Sequence, residues 1–308
     1  MTSQNLPTHM TPNPQEPEDG VSIVIPAYNE ELGIAGVLQE LLDMLDTLPK
    51  ELPIEVIVVD DGSKDKTSEE LKPFEGERLR ALRHPKNRGY GASLKTGIQQ
   101  ARYPWILITD ADGTYPNKHI PELLEHRHEN DMVVGARIGE NTNIPLIRRP
   151  PKWVLRKLAS YLSHRDIPDL NSGLRLMRKS VVKQFLHILP DGFSFTTTIT
   201  LATLSTGCAV KYVPIDYLKR KGSSKIRPIA DTLNFVKLIL RTSMYFDPLR
   251  VFVPIAALFF IASFGVGFGS WILTDQLMDV STVVLFVTGV QMLVLGMFAD
   301  MLNYQLKR

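Results

Sequence analysis

Thiols are nearly missing from this 308-residue chain, whose single cysteine is Cys208. One thiol excludes an internal disulfide and any zinc site built from several cysteines. Its apolar neighbours mark Cys208 as a buried, inert thiol rather than a nucleophile. Lysine and arginine are absent from Val251 to Asn303, although the net charge of the whole chain is only +2. Neither a Gly-x-Gly-x-x-Gly nor a Walker loop follows the first apolar run, which disfavours a dinucleotide oxidoreductase or a P-loop ATPase. Arg88-Gly-Tyr-Gly91 is glycine-rich, but it comes late and has the wrong spacing. Residues Met1 to Asp19 hold four prolines and little that is apolar. They lack the basic-then-hydrophobic pattern of a secretory signal, so a disordered tail with a cytoplasmic N-terminus is expected.

What is present begins with Ile106-Leu-Ile-Thr-Asp110-Ala-Asp112-Gly-Thr114, an apolar run that ends in two acids. Such a run predicts a buried strand, and carboxylates at i and i+2 just past its end can converge on one hard cation. Asp110 and Asp112 could equally cap the next turn, so their neighbours must decide. Val21 to Ile25 and Ile54 to Val59 read as earlier strands, with an amphipathic helix from Leu32 to Leu45 between them. A short helix over Lys64 to Leu71, a strand at Leu79 to Arg83 and then Asn87 to Ala92, leading into a helix that runs to about Ala101, come next. Trp105 to Thr109 is then the fourth strand. Met132 to Arg137, a strand start near Asp169 to Arg175, a threonine-rich helix from Phe193 and a last strand at Val210 to Pro214 complete the series.

Strands alternating with helices at this spacing predict an α/β fold with a doubly wound, mostly parallel sheet. Ligands of such sheets sit beyond the carboxyl ends of the strands. Tyr28-Asn-Glu30, Asp60-Asp61 and Asp110-Ala-Asp112 all fall at predicted strand ends, which favours a site over three unrelated caps. Cationic residues follow at Arg137, Arg148, Arg149, Lys152, Arg156 and Lys157, and in the compact loop Lys219-Arg220-Lys-Gly-Ser-Ser224-Lys225.

Val251 to Leu273 and Val280 to about Met301 are each long enough to cross a bilayer as a helix. Thr274 to Asp279 leaves room only for a tight hairpin. Pro228 to Tyr245 suits a helix lying on a membrane face, with an ordinary core-facing helix as the close alternative. Basic residues gather at Lys225, Arg227, Lys237, Arg241 and Arg250 and return at Lys307 and Arg308, whereas the hairpin loop holds only acids. That asymmetry predicts a multi-pass cell-membrane protein with both termini and the α/β domain in the cytoplasm. The expected organisation is a tail (1–19), a catalytic domain (20–227), an interfacial helix (228–247) and a transmembrane hairpin (248–308).

Ile25-Pro-Ala-Tyr-Asn-Glu30, Val59-Asp-Asp-Gly-Ser-Lys-Asp-Lys-Thr67, Asn87-Arg-Gly-Tyr-Gly-Ala92 and Thr109-Asp-Ala-Asp-Gly-Thr-Tyr-Pro116 resemble glycosyltransferase family 2. Asn171-Ser-Gly-Leu-Arg175, Arg220-Lys-Gly-Ser-Ser-Lys225 and the terminal hairpin narrow the resemblance to its polyprenyl-phosphate glycosyltransferases. Dolichol-phosphate mannose synthase and bacterial prenyl-phosphate glucosyltransferases belong to that group. The resemblance implies a GT-A fold and inverting, metal-dependent transfer from a UDP- or GDP-linked sugar to undecaprenyl or dolichyl phosphate.

By position it implies that Pro26, Tyr28, Glu30, Asp60 and Asp61 bind the nucleotide-sugar, with Asp60 accepting from the base. Asp110 and Asp112 would hold Mg²⁺ or Mn²⁺ on the donor diphosphate. Arg137, Arg220, Ser224 and Lys225 would bind the acceptor phosphate, the three cations joining the acidic pair as the catalytic set. The membrane is an expected partner, nucleic acid is not, and a homo-oligomer is compatible with the chain. Thr114 stands where dolichol-phosphate mannose synthases often carry glutamine, so GDP-mannose does not follow as donor. A processive polysaccharide synthase is the alternative, but its Gln-x-x-Arg-Trp motif is absent. A membrane-tethered sugar-nucleotide binder without turnover is the third reading. Asp169 is the carboxylate to examine should a general base exist.

Overall fold

The structure is a computed structural model that describes residues 19–138, 157–161, 165–218, 228–274 and 279–306, with backbone alone at 228–235, 274, 279 and 306. The chain forms two compact units, each discontinuous in sequence. Within the described residues, the first comprises 19–138, 172–195 and 209–218, and the second comprises the rest.

The first unit is built on seven strands: β1 (Val21–Ala27), β2 (Ile54–Asp60), β3 (Leu79–Arg83), β4 (Trp105–Ile108), β5 (Met132–Ala136), β6 (Arg175–Arg178) and β7 (Val210–Pro214). They lie in the order β3-β2-β1-β4-β6-β5-β7. Every residue of β1 is buried, as expected for a near-continuous apolar strand covered on both faces. Strand β1 runs parallel to both β2 and β4, pairing Ala27 with Asp60 and Val24 with Ile108. The carboxyl ends of these three strands therefore share one edge. Strand β6 departs from the pattern, running antiparallel to β4 and to β5.

The helices of the chain up to the last strand are α1 (Ile34–Leu45), α2 (Thr67–Leu71), α3 (Tyr90–Gln100), α4 (Ile120–Glu125), α5 (Lys179–Phe185) and α6 (Phe195–Ser205). In α1 the buried residues are Ile34, Leu38, Leu41 and Leu45, the one-face spacing of a helix on a sheet. They join Ile23, Ile25, Val56, Val58 and Leu107 in the core. Truncating Leu38 to alanine there costs about 2–5 kcal/mol. Helix α2 starts at Thr67 rather than at Lys64, because Asp65 spends its side chain on a turn. Its Oδ1 accepts from the Thr67 amide at 3.0 Å and the Thr67 hydroxyl at 2.6 Å.

In the second unit the threonine-rich face of α6 is packing, and Cys208, just past it, is half-buried rather than buried as its apolar neighbours suggest. The Thr200 hydroxyl donates to the Thr196 carbonyl and the Thr203 hydroxyl to the Ile199 carbonyl, both at 2.8 Å, so these groups are satisfied within their own helix. Three long helices follow: α7 (Pro228–Phe246), α8 (Leu249–Thr274) and α9 (Asp279–Leu306). Residues Leu249–Leu273 and Val280–Gln305 are long and apolar enough to cross a membrane, and only 17% and 11% of their most apolar windows are buried. A core helix of a soluble protein would be mostly covered, so this exposure points to a membrane anchor. Helices α8 and α9 pack as a hairpin in which the Ser263 hydroxyl donates to the Thr282 carbonyl at 2.7 Å. The Asn303 amide donates to the Met244 carbonyl at 2.9 Å, tying α9 to α7.

Candidate active site

The loops after β1, β2 and β4 lie at the shared edge; polar side chains fasten the first two to each other, and the segment after β3 is tied to Asp61 and, through Tyr90, to Asp110. After β1, Asn29 takes up a left-handed backbone with φ 55°, which asparagine tolerates better than most residues. Its side-chain oxygen accepts from the Lys64 amide at 2.9 Å, while its own amide donates to the Ser63 hydroxyl at 3.0 Å. The Glu30 amide donates to the Thr67 hydroxyl at 2.8 Å and the Glu31 amide to Asp65 at 3.2 Å. Burial opposes ionisation of Asp65, but the hydrogen bonds from Thr67 and Glu31 outweigh it and hold the carboxyl below its ordinary value of 3.8. Pro26, Tyr28 and Glu30 are thus carried on a loop zipped to the segment that follows β2.

Asp60, the last residue of β2, is 1% exposed. It accepts from the Ser63 amide at 2.8 Å and from the Ser68 hydroxyl, and Arg83 lies 3.5 Å away. Asp61 is 3% exposed and has a different task. Its Oδ1 meets His84 Nδ1 at 2.7 Å and accepts from the Arg88 amide at 2.9 Å, while its Oδ2 accepts from the Gly89 amide at 2.8 Å. Asp61 therefore pins the segment leading into α3 onto the end of β2.

Asp110 and Asp112 stand in the loop after β4. The Thr114 amide and hydroxyl donate to Asp112 Oδ1 at 3.1 and 2.6 Å, and Thr114 itself is 0% exposed. The Tyr90 hydroxyl donates to Asp110 Oδ1 at 2.9 Å. Burial first, and the Asp110 charge second, raise the Tyr90 phenol well above its ordinary value of 10.0, so it stays a donor at neutral pH. On another side, a Cβ added to Gly173 would stand 2.6 Å from Asp110 Oδ2, so a side chain there would force the carboxylate to shift. The Gly173 amide donates to the Tyr115 hydroxyl at 2.7 Å. Tyr115 packs edge-on against Tyr217, with ring centroids 5.3 Å apart, and the Arg137 guanidinium lies over Tyr217 at 5.1 Å. Arg137 is linked to Asp110 indirectly, through Tyr217, Tyr115 and Gly173.

Tyr90, Gly173 and Tyr115 do not stand among the site residues expected from the sequence. Their signal was the company they keep, Tyr90 inside Asn87–Ala92, Tyr115 inside Thr109–Pro116 and Gly173 inside Asn171–Arg175. Asp169 accepts from the Asn171 amide at 3.3 Å within its own turn. Arg220, Ser224 and Lys225 lie outside the described residues. Among the described residues no group of three or more His, Cys, Asp and Glu assembles a complete metal site. Asp110 and Asp112 are nonetheless hard oxygen donors, and magnesium-type ions are commonly bound by one or two carboxylates plus substrate phosphates and water. Gly173 closes against Asp110 without a side chain. The donor set fits such an ion.

The chain matches the model of glycosyl transferase family 2 over residues 22–186 and that of the GtrB C-terminal hairpin over residues 247–303. The chain belongs to glycosyltransferase family 2. Among its relatives, a dolichyl-phosphate hexose transferase of Haloferax volcanii is 28% identical, the match spanning 73% of this chain and 95% of the relative. A dodecaprenyl-phosphate galacturonate synthase of Rhizobium johnstonii is 26% identical over 92% of this chain and 87% of its own length. The solved structure of glucosyl-3-phosphoglycerate synthase from Mycobacterium tuberculosis, with Mn²⁺, UDP-glucose and phosphoglyceric acid, is similar at a TM-score of 0.57. It shares 19% identity, and the match covers 73% of this chain and 80% of that one. At that identity the likeness is one of fold. This family-2 enzyme therefore carries a GT-A-like mixed sheet followed by an apolar two-helix hairpin.

Proposed function

We propose that this glycosyltransferase moves a sugar from a nucleotide-sugar onto a polyprenyl phosphate at the cytoplasmic face of a membrane. The observation that carries the reading is the pair Asp110 and Asp112. The pair stands at the shared edge of β1, β2 and β4, oriented by Tyr90 and Thr114, in a chain that ends in an exposed apolar hairpin. The names of the relatives from Haloferax volcanii and Rhizobium johnstonii support a lipid-phosphate acceptor.

In this reading Pro26, Tyr28, Glu30 and Asp60 hold the nucleoside, and Asp61 acts through the segment it pins. Asp110 and Asp112 hold Mg²⁺ or Mn²⁺, which when bound neutralises the departing diphosphate. Arg137 offers a fixed cation to phosphate oxygens, with Arg220, Ser224 and Lys225 completing the acceptor site. A phosphate monoester has its second pKa at about 6, so the acceptor is largely a dianion at neutral pH. Its oxygen bonds to the anomeric carbon as the bond to the diphosphate oxygen breaks, and the nucleoside diphosphate leaves with the electron pair. No proton has to be removed from the nucleophile, so no general base is assigned.

Residues 20–227 form the catalytic domain in this reading, and residues 228–247 lie along the membrane face before the hairpin. The basic residues that flank the hairpin favour a cytoplasmic site. The test is incubation of the purified protein with polyprenyl phosphate, Mn²⁺ or Mg²⁺, and a panel of labelled UDP- and GDP-sugars. Label is expected in a polyprenyl lipid with one donor. Label in long polymer would favour a processive synthase, and binding without product under every condition would sink the proposal.

A further inference from the structure

We infer that Tyr90 is a positioning residue for Asp110, braced by the segment Pro190 to Phe193, and that it holds the carboxylate in the orientation that meets a divalent cation. The inference rests on the metal reading of Asp110 and Asp112 given above. Tyr90 opens α3 and donates to Asp110 Oδ1 at 2.9 Å. A carboxylate rotates broadly about its terminal torsion, and a charge-assisted hydrogen bond to one oxygen narrows that rotation.

Three contacts fix Tyr90 in turn. Asp61 holds the Arg88 and Gly89 amides at 2.9 and 2.8 Å, immediately before it. Asp191 clasps the helix immediately after it, its carbonyl accepting from the Ala92 amide at 3.0 Å and its carboxylate from Lys95 at 2.7 Å. Gly91 makes that clasp possible, since a Cβ there would run into the Pro190 carbonyl oxygen. Phe193 then stacks on the Tyr90 ring, with centroids 5.5 Å apart and planes 18° from parallel. Phe193 is 75% exposed, so core burial does not explain its place. What it covers is Tyr90.

The experiment measures Mn²⁺ binding to the full-length protein in detergent, by electron paramagnetic resonance of the free ion, with Mn²⁺ alone and then with UDP or GDP. Tyr90→Phe keeps the ring and the stack but loses the donor. It is expected to weaken Mn²⁺ about tenfold, consistent with a hydrogen bond to a charged group, and to lower kcat by a similar factor while the melting temperature stays put. Phe193→Leu is expected to weaken Mn²⁺ about threefold in the same direction, an order-of-magnitude estimate for a loosened ring. Wild-type affinity in Tyr90→Phe, with binding abolished in Asp112→Ala, would overturn the role of Tyr90 and leave the metal reading standing. Unchanged affinity in Phe193→Leu would overturn the brace. Equal Mn²⁺ binding by wild type and Asp112→Ala would overturn the metal reading and this inference with it.

Discussion

The sheet edge and the hairpin use their residues in opposite ways. At the edge, side-chain oxygens at strand ends fasten one loop to the next, as Ser63, Asp65 and Thr67 do for residues 29–31. Geometry is written there in single hydrogen bonds. The hairpin instead presents exposed apolar side chains such as Phe264, Val284 and Val294, with polar links such as Ser263 to Thr282. What matters in it is length and the absence of lysine and arginine. Apolar swaps should pass unnoticed in the hairpin, while conservative polar changes should be felt at the edge.

That contrast can be broken or sharpened by substitution. Asp112→Ala removes one of the two carboxylates of the proposed metal pair, and formation of lipid-linked sugar should fall on the order of a thousandfold, since such a clamp is worth several kcal/mol. Val294→Lys puts a charge near the middle of α9, at a cost of about 2.5–3.5 kcal/mol for membrane insertion. Fractionation should show the protein leaving the membrane, whereas Val294→Leu should stay. Gly173→Ala drives a methyl group against Asp110, and a displacement of that size costs about a hundredfold in rate; an unchanged melting temperature would separate it from misfolding.

Thr114→Val deletes the hydroxyl donor to Asp112 and should cost about tenfold, the low end of effects from residues that orient metal ligands. The smallest effect concerns pH. The Asp65 carboxyl lies below 3.8 in the folded protein, so its contribution is present above that pH and is lost as pH falls through the lower folded value. Amide exchange in residues 29–31 should therefore rise below about pH 4, and less so in Asp65→Asn.

Much of this was legible because periodicity and strand-end polarity are local. The apolar runs at Val21, Ile54 and Trp105 give β1, β2 and β4, and the acids just past them arrive at one edge because the strands are parallel. The stretches without lysine or arginine from Val251 give α8 to within two residues and the start of α9, which runs on to Leu306, about five residues past the expected end. Strand β6 was not legible as antiparallel, since four residues at Arg175–Arg178 carry no sign of direction. Tyr90 and Gly173 escaped for a related reason. Their partner Asp110 lies 20 residues away from Tyr90, and pairing across that distance is a property of the folded sheet. Thr114 could be noticed as a departure from relatives, but its bond to Asp112 could not.

The central claim is that Asp110 and Asp112 serve transfer from a nucleotide-sugar to a polyprenyl phosphate. It is tested most directly by following label into polyprenyl lipid with wild type and Asp112→Ala, before and after chelation and Mn²⁺ replacement. Product that disappears on chelation, returns with Mn²⁺ and is never formed by Asp112→Ala is the predicted result. Lipid product that survives chelation and the Asp112→Ala change would contradict the account.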